Sequence, residues 1–380
     1  MSDLNAFLHR DPAAKGGPGS LAGVTVGVKA NIMVAGMPFH AGIGAWAERI
    51  AHRDAEVVAR LRAAGAAIIG VLNMEEAALG SKTDNPHFGP THNPHRHGYS
   101  PGGSSGGSGA AVAAGECDVA LGTDTMGSVR IPAAHCGVYG FKPATDRVSQ
   151  DGLEPADLSL DAIGPLARDL DLLERAAWTM SDLGGGADDF AGAVLVDHGV
   201  AVDPAVAAAF TQVLAALPTR PAEVRLPMPN ARVRFAGFIQ VSRAMAEHLA
   251  GVSVSPHLSR LLTYGPRRSE ADWQEDQAVL ASARKGVLEI VERHGWLIMP
   301  SVPNPPFPHS EREPAAQADF TCLANVAGLP ALSLPMGWTA DGVPLGVQIV
   351  ARSGYEAGLF ALARHLDAKL GAYRAPSEGA

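Results

Sequence analysis

The feature that most constrains this chain is a run of glycines and serines that leads directly into ordered structure. Residues 100–109 contain five glycines and four serines, SPGGSSGGSG, and the small-residue segment AAVAAG and the apolar segment VALGTDT follow them. Glycine allows positive φ angles and close backbone approach, and serine supplies a hydroxyl that both donates and accepts hydrogen bonds. A second turn then carries Gly127 and Ser128. The sequence therefore predicts two turns, joined by a short helix and a strand, whose hydroxyls could meet at one point.

Three other interpretations of this run compete with that one. A flexible linker is disfavoured because helix-like and strand-like segments follow at once. A phosphate-binding loop needs a lysine after the glycines, and there is none between Lys82 and Lys142. Residues 102–106 match the G-x-S-x-G nucleophile elbow of α/β-hydrolases, but that elbow must follow a strand, and here NPHRHGYSP precedes it. An ester hydrolase of the elbow type, in which Ser104 is acylated, is therefore the weakest of the functional alternatives.

The flanking segments alternate between strand and helix patterns. LAGVTVGVKANI alternates like a strand and ends near Lys29, residues 53–65 (RDAEVVARLRAAG) form an amphipathic helix pattern, and AAIIGVLN reads as a buried strand. This alternation predicts an α/β protein with a largely parallel sheet. A long amphipathic helix is predicted further on, ending at Gly295.

The chain contains the long motifs GVKANI, PGGSSGGSGAAVAAG and GTDTMGSVRIPAAHCGVYGFKP, followed by DFTCLANVAGLPALSLPMG and GVPLGVQIVA. In this order they resemble the motifs of the amidase signature family. The match is dense from about residue 21 to 164 and then resumes near the end of the chain. The resemblance implies one α/β domain over residues 1–380, with a large twisted mixed β-sheet covered by helices on both faces. It also implies that a variable region, about 188–309, selects the substrate.

The resemblance implies a Ser-Ser-Lys triad. By position, Ser128 resembles the family nucleophile, Ser104 the bridging serine and Lys29 the base. A lysine acts as a base only when neutral, so we expect burial to lower its pKa. Asp124 and Arg130 flank the nucleophile turn, and we expect them to support it rather than to contact substrate.

Two positions depart from the family pattern. The expected oxyanion site consists of the backbone N–H groups of Thr125, Met126, Gly127 and Ser128, and Met126 stands where relatives usually have glycine. Either Met126 is strained by a positive φ or its side chain narrows the acyl pocket, and we expect the second. Ala30 stands where the family commonly has aspartate, and the loss of a carboxylate there should favour the neutral form of the neighbouring lysine.

Composition excludes several partners. A net charge of −9 and a pI near 5.8 argue against direct nucleic-acid binding and against an anionic membrane surface. There is no apolar signal-like segment at the start and no run long enough to span a membrane, so a soluble cytoplasmic protein is expected. The three cysteines lack metal or redox spacing and are expected to be buried and reduced. Four loop histidines, His87, His92, His95 and His97, are expected to be solvated, and neither metal nor cofactor is predicted.

The predicted activity is hydrolysis of a small carboxamide or ureido-type substrate to acid plus ammonia or amine, through an acyl-enzyme. One alternative is the glutaminase-type A subunit of a Glu/Asp-tRNA amidotransferase, which requires partner subunits. Another, from a different class, is a catalytically silent protein that binds a small ligand, with Met126 as the lesion. The short segment before Lys29 and the compact middle region predict an open cleft, or one that a second copy of the chain completes in a homodimer.

Overall fold

A computed structural model describes residues 4–186 and 191–377, so the first three residues of the predicted substrate region, 188–190, lie outside the described part. The strands are β1 (Phe7–Arg10), β2 (Thr25–Lys29), β3 (Ala67–Leu72), β4 (Asp84–Asn85), β5 (Gly89–Pro90), β6 (Val119–Asp124), β7 (Tyr139–Lys142), β8 (Ala162–Ala167), β9 (Ala193–Leu195), β10 (Ala222–Val224), β11 (Trp296–Pro300), β12 (Ala331–Trp338) and β13 (Pro344–Ala351). The α-helices are α1 (Glu56–Ala63), α2 (Gly106–Ala113), α3 (Arg130–Cys136), α4 (Leu170–Met180), α5 (Pro204–Ala216), α6 (Asn230–His248), α7 (Pro256–Leu261), α8 (Glu270–His294), α9 (Cys322–Ala327) and α10 (Glu356–Leu370).

Eleven of these strands form one sheet in the order β1-β3-β2-β6-β8-β7-β12-β13-β11-β9-β10. The edge strand β1 is antiparallel to β3. The strands β3-β2-β6 beside it and β11-β9-β10 at the other end are parallel, whereas every pair from β6 through to β11 is antiparallel. The mixed sheet implied by the family resemblance is confirmed. The largely parallel sheet inferred from strand and helix alternation is wrong for the centre, where all neighbours are antiparallel; one of these pairs, β12 and β13, is joined by the short connection 339–343, which favours antiparallel pairing.

Helices cover both faces of the sheet. Alternate residues of β11 show this: Ile298 packs in the core under α1, α4, α5 and α10, while Leu297 and Met299 pack in the core under α6, α8 and α9. A smaller core under α2 and α3 contains Ala120 of β6, although Val119 and Leu121 point to the first face. This two-sided burial explains why the strands read as almost continuous apolar runs.

The topology brings two strand ends to one edge of the sheet. β2 and β6 are parallel neighbours, with Val28 opposite Leu121, so Lys29 and Asp124, the last residues of the two strands, lie at the same edge. Carboxyl ends of parallel strands are common positions for ligand sites in α/β sheets. The segments that follow these strands therefore share one corner of the molecule.

Two further findings concern membrane spans and thiols. Among the helices of residues 4–186 and 191–377, none is both long and apolar enough to cross a membrane. Cys117, Cys136 and Cys322 are buried free thiols, as predicted, and burial raises the pKa of the Cys117 thiol to about 12.

Candidate active site

Lys29 ends β2 with its amino group enclosed by protein. Its side chain is completely buried, and Nζ lies 2.7 Å from Ser104 Oγ and 2.7 Å from Thr123 Oγ1. Thr123 belongs to the neighbouring parallel strand β6, so the β2-β6 pairing itself supplies one partner. Both partners are hydroxyls, which can accept a hydrogen bond from the amine or donate one to it.

Burial shifts the Lys29 pKa far from its ordinary value. Desolvation disfavours the charged form and lowers the pKa from 10.5 to about 7, although Asp161, Asp124 and Glu75 act in the opposite direction. Ala30, also fully buried, contributes no carboxylate beside it. Near neutral pH a large share of Lys29 is therefore the free amine, as a base requires.

The first glycine and serine turn is held tightly against its surroundings. The Gly103–Ser104 peptide is cis, and a Cβ on Gly103 would lie 2.8 Å from the Lys82 backbone nitrogen, so a larger residue does not fit there. The Ser104 carbonyl accepts from the Glu75 N–H at 3.0 Å. Ser105 Oγ contacts the backbone of Thr123 at both N and O, each at 3.2 Å. The two adjacent serines thus differ: Ser104 faces the lysine and Ser105 ties the turn to β6.

The second turn is organised by the Asp124 carboxylate. It accepts hydrogen bonds from the N–H groups of Gly127 (2.7 Å) and Val129 (3.1 Å) and from both Nε and Nη2 of Arg130. The Arg130 guanidinium is fully buried and also donates to Gln348 and Asn325. Although burial acts to raise it, the pKa of Asp124 is lowered to about 2, chiefly by Arg130. Both predicted supporting residues therefore brace the turn.

Ser128 lies between two residues that fix its place. A Cβ on Gly127, whose φ is 133°, would lie 2.1 Å from Thr321 Oγ1, so only glycine fits. Val129, on the other side, packs against Gly122: a Cβ there would lie 3.1 Å from Val129 Cγ2 and 2.8 Å from Ser105 Oγ. Ser105, which follows Ser104, and Val129, which follows Ser128, thus both pack against Gly122 of β6. Ser128 itself is 8% exposed, which leaves its site at the edge of the protein interior.

Met126 adopts an unstrained backbone conformation, because the positive φ of this turn belongs to Gly127 and not to Met126. Its side chain reaches α6, where a Cβ on Gly237 would lie 3.0 Å from Met126 Cε, and its carbonyl accepts from Thr321 Oγ1 at 2.7 Å. The strained alternative is therefore not observed. Of the four predicted oxyanion donors, the Gly127 N–H already donates to Asp124; the roles of the Thr125, Met126 and Ser128 N–H groups stay predictions.

Asp161 is a buried carboxylate that sequence reasoning missed. It precedes β8, accepts from Thr125 Oγ1 at 2.6 Å and from the N–H groups of Ala156 and Asp157, and desolvation raises its pKa to about 6. Its charge acts on the Lys29 pKa more strongly than that of any other carboxylate. The available signal was an acidic residue directly before an apolar strand, in SLDAIGPLA.

Glu75 is a second buried acid near Lys29 and Ser104. Its carboxylate accepts from the N–H groups of Thr83 (2.6 Å) and Lys82 (3.3 Å), and desolvation, together with Glu313, raises its pKa to about 7. Because its backbone N–H holds the Ser104 carbonyl, Glu75 joins the long loop to the first turn. Asn85, in the same loop, donates to the carbonyls of Gly42 and Met74 and so holds this connection in place.

The loop histidines contact protein groups. His87 Nε2 lies 3.0 Å from Glu76 Oε1, His95 Nε2 lies 2.9 Å from the Cys136 carbonyl, and the ring centroids of His92 and His97 lie 3.9 Å apart with their planes tilted by 34°. Within the described residues, no group of three or more histidine, cysteine or acidic side chains is arranged to hold a metal ion.

Comparison with known proteins gives a consistent result. The family model described as Amidase matches residues 7–184 and 188–360. The A subunit of the glutamyl-tRNA(Gln) amidotransferase of Natronomonas pharaonis is 36% identical over 428 aligned positions, covering 93% of this chain and 97% of the relative. The solved structure of the corresponding A subunit from Thermotoga maritima superimposes with a TM-score of 0.88 at 27% identity, covering 99% of this chain and 91% of that one. A solved amidase superimposes with a TM-score of 0.87 at 30% identity, covering 97% and 93%.

Proposed function

The chain belongs to the amidase family, the amidase signature enzymes, and from this premise we propose that Ser128, Ser104 and Lys29 carry out cleavage of an amide C–N bond. The observation that supports this assignment best is the 2.7 Å contact between Lys29 Nζ and Ser104 Oγ in a fully buried setting. A neutral amine there accepts the Ser104 hydroxyl proton while one of its own N–H groups donates to Thr123.

In the proposed reaction Ser128 Oγ attacks the carbonyl carbon, and its proton passes to Ser104 as Ser104 passes its own to Lys29. The tetrahedral intermediate collapses when the same relay returns a proton to the leaving nitrogen, which departs as ammonia or amine and leaves an ester on Ser128. Water then attacks that ester by the same route and releases the acid. Backbone N–H groups of the nucleophile turn stabilise the oxyanion in both halves.

We infer the role of a glutaminase-type A subunit, which releases ammonia from a glutamine-type carboxamide for partner subunits. The support comes from the relatives: proteins named as the A subunit of glutamyl-tRNA(Gln) amidotransferase align with most of this chain, including that of Deinococcus radiodurans at 37% identity over 92% of it. Under this proposal the protein acts in a cytoplasmic complex, and any contact with RNA is made through partners.

A second candidate is an amidase that acts alone on a small carboxamide or ureido compound. The Met126 side chain favours this second candidate. It extends from the turn that carries the proposed nucleophile towards Gly237 of α6, so its thioether lies between the turn and that helix. Such a side chain would restrict the acyl part of the substrate and so select small acyl groups. The similarity to a solved amidase is of the same order as the similarity to the amidotransferase from Thermotoga maritima.

The test is ammonia release from glutamine, short aliphatic amides, ureido compounds and aryl amides, measured with the wild type and Ser128→Ala in parallel. Release from glutamine that increases when proteins co-purified with the tagged chain are present supports the amidotransferase role. Release from small amides by the chain alone, abolished by Ser128→Ala, supports the independent amidase. Absence of release under both conditions would refute the hydrolase and favour the silent binder.

A further inference from the structure

Two residues of the long loop before the first turn hold that turn on both sides of Ser104. Thr83 Oγ1 donates to the Gly102 carbonyl at 2.8 Å and accepts from the Gly106 N–H at 3.1 Å. Between these two positions, the Glu75 N–H donates to the Ser104 carbonyl at 3.0 Å. The fit is close, because a Cβ on Gly106 would lie 2.3 Å from Thr83 Oγ1. The backbone of the turn is thus attached at three alternate residues, and Ser104 is the middle one.

Thr83 holds the turn from a strained backbone conformation. Its φ is 55°, an uncommon value for a β-branched residue, and its side chain is completely buried. The Thr83 N–H donates to Glu75 Oε2 at 2.6 Å, so the Glu75 carboxylate fixes the residue whose hydroxyl reaches the turn. A Cβ on Gly80 would lie 2.8 Å from Glu75 Cδ, which shows that the loop closes tightly around this carboxylate. Strain of this kind persists only where the surroundings impose it, and it is concentrated at functional sites.

The contact that this arrangement controls is the one between Ser104 and Lys29. Lys29 has a second anchor, because its Nζ also lies 2.7 Å from Thr123 Oγ1 of β6. A shift of the first turn would therefore change the 2.7 Å distance from Ser104 Oγ to Lys29 Nζ while the lysine stays in place. Ser105 attaches the turn to β6 only through its side chain, at 3.2 Å, whereas Thr83 binds the backbone on both sides of Ser104. Catalysis depends steeply on such distances, and a displacement of about 1 Å can lower a rate about 100-fold.

We propose that Thr83 is a positioning residue for the proton relay: its hydroxyl, oriented by Glu75, holds the backbone around Ser104 so that Ser104 Oγ stays against Lys29 Nζ. The inference rests on the proposed amide hydrolysis and deepens it, because Thr83 acts through Ser104 rather than on the substrate. Loss of the hydroxyl removes a partner from two buried backbone groups, the Gly102 carbonyl and the Gly106 N–H, and such a loss is costly unless the turn moves. Serine keeps the donor and the acceptor of threonine, whereas valine has the same shape and neither of them.

The kinetic test compares Thr83→Val, which removes the hydroxyl, with Thr83→Ser, which keeps it, on the amide that the wild type hydrolyses fastest. We expect Thr83→Val to lower kcat for ammonia release by about 10- to 100-fold with little change in KM, because the relay acts in the chemical step. Thr83→Ser should stay close to the wild type. If Thr83→Val does not fold, Thr83→Ala removes the same hydroxyl with a smaller side chain and should show the same loss.

Thr91→Val is the matched control for these variants. Thr91 is also completely buried in the same loop, but its hydroxyl donates to the Asn5 carbonyl at 2.9 Å instead of to the turn. The same atoms are therefore removed, and we expect the thermal midpoint to fall while kcat is retained. Equal kcat values in Thr83→Val and Thr91→Val, or an equal loss in Thr83→Ser and Thr83→Val, would overturn the proposal.

A structural measurement separates this inference from the proposed function, because it requires no turnover. Crystal structures of the wild type, Thr83→Val and Thr91→Val give the distance from Ser104 Oγ to Lys29 Nζ directly. We expect this distance to increase from 2.7 Å to beyond about 3.2 Å in Thr83→Val alone, which exceeds the usual length of such a hydrogen bond. This displacement supports the inference even if the wild type hydrolyses no amide, in which case only the proposed function fails. A Ser104 that stays within hydrogen-bond distance of Lys29 in Thr83→Val refutes the inference, whatever the amide assays show.

Discussion

Lys29, the base of the proposed relay, should titrate in the neutral range, because burial lowers its pKa and Asp161 partly offsets that shift. A lysine with its ordinary pKa of 10.5 would be neutral in about one molecule in 3,000 at pH 7, whereas the pKa of about 7 makes about half of Lys29 neutral. That change corresponds to about 5 kcal/mol against the charged form. We therefore expect kcat/KM to rise with pH, to reach half its plateau near pH 7, and to fall about tenfold per unit well below it.

Asp161→Asn removes the carboxylate that acts most strongly to keep Lys29 charged. An amide can replace the carboxylate with little rearrangement, because its oxygen can accept from Ala156 and Asp157 while its NH2 donates to Thr125 Oγ1. The Lys29 pKa should fall by about one unit, which moves the acid limb to lower pH. Since the Asp161 pKa is about 6, its charge is present near neutrality, and at pH 6.5 we expect the fraction of full activity to rise about two- to threefold.

The assay is kcat/KM for ammonia release across pH 5 to about 9, with each profile normalised to its own plateau because a weaker base also lowers the plateau. Asp157→Asn is the matched control: it removes the same charge from the same loop, but Asp157 is not among the charges that act on Lys29. An acid limb that stays in place in Asp161→Asn, or that moves equally in Asp157→Asn, would show that Asp161 does not tune the base.

Three further predictions concern the two turns. Ser128→Ala should lower ammonia release by at least about 1,000-fold, while Ser105→Ala, which loses only its contacts to the Thr123 backbone, should retain turnover and lose about 1–3 kcal/mol of unfolding free energy. Met126→Gly should extend activity to bulkier acyl groups, measured as the kcat/KM ratio of a branched to a linear amide; an unchanged ratio would mean that the thioether does not line the acyl pocket. Arg130→Met should destabilise the fold by about 3–5 kcal/mol in denaturant titration, because Asp124 loses its buried partner. The exposed ion pair of Arg53 provides the control, and Arg53→Met should hardly change the midpoint.

The sequence predicted several elements of the fold because their patterns are local. The strand predicted within LAGVTVGVKANI is β2, Thr25–Lys29, and the predicted helix at 53–65 contains α1. The long helix ends at Gly295, as predicted, where φ is 84°. What no local pattern could show is that Thr123, 94 residues away, becomes the second partner of Lys29, because that contact depends on the pairing of β2 with β6.

The residues that sequence reasoning missed are polar groups that are buried when segments distant in the sequence pack together. The Asp161 carboxylate is tolerated in the interior because Thr125 and two backbone N–H groups from its own loop donate hydrogen bonds to it. From the sequence alone, an acidic residue before a strand indicates a side chain exposed to solvent. Asn325 likewise joins α9 to the Asp124 carboxylate at 2.9 Å. Sequence reasoning also missed the short helix α3, because it contains Pro132 and directly follows the turn. The available signal was Gly137, which ends the helix with a φ of 66°.

The chain contains two lysines that share almost every feature used to recognise a base, and only their partners distinguish them. Lys29 and Lys142 both end strands, both are fully buried, and desolvation lowers the pKa of each to about 7. Lys142 donates to two backbone carbonyls, which accept hydrogen bonds but have no proton to give, so it can only hold β7 against the end of α9. Lys29 contacts two hydroxyls. One of them belongs to Ser104, and the next residue, Ser105, packs at Gly122 beside Val129, the residue after Ser128. A depressed pKa therefore permits base catalysis at both positions, but of the two lysines only Lys29 contacts groups that can give up a proton.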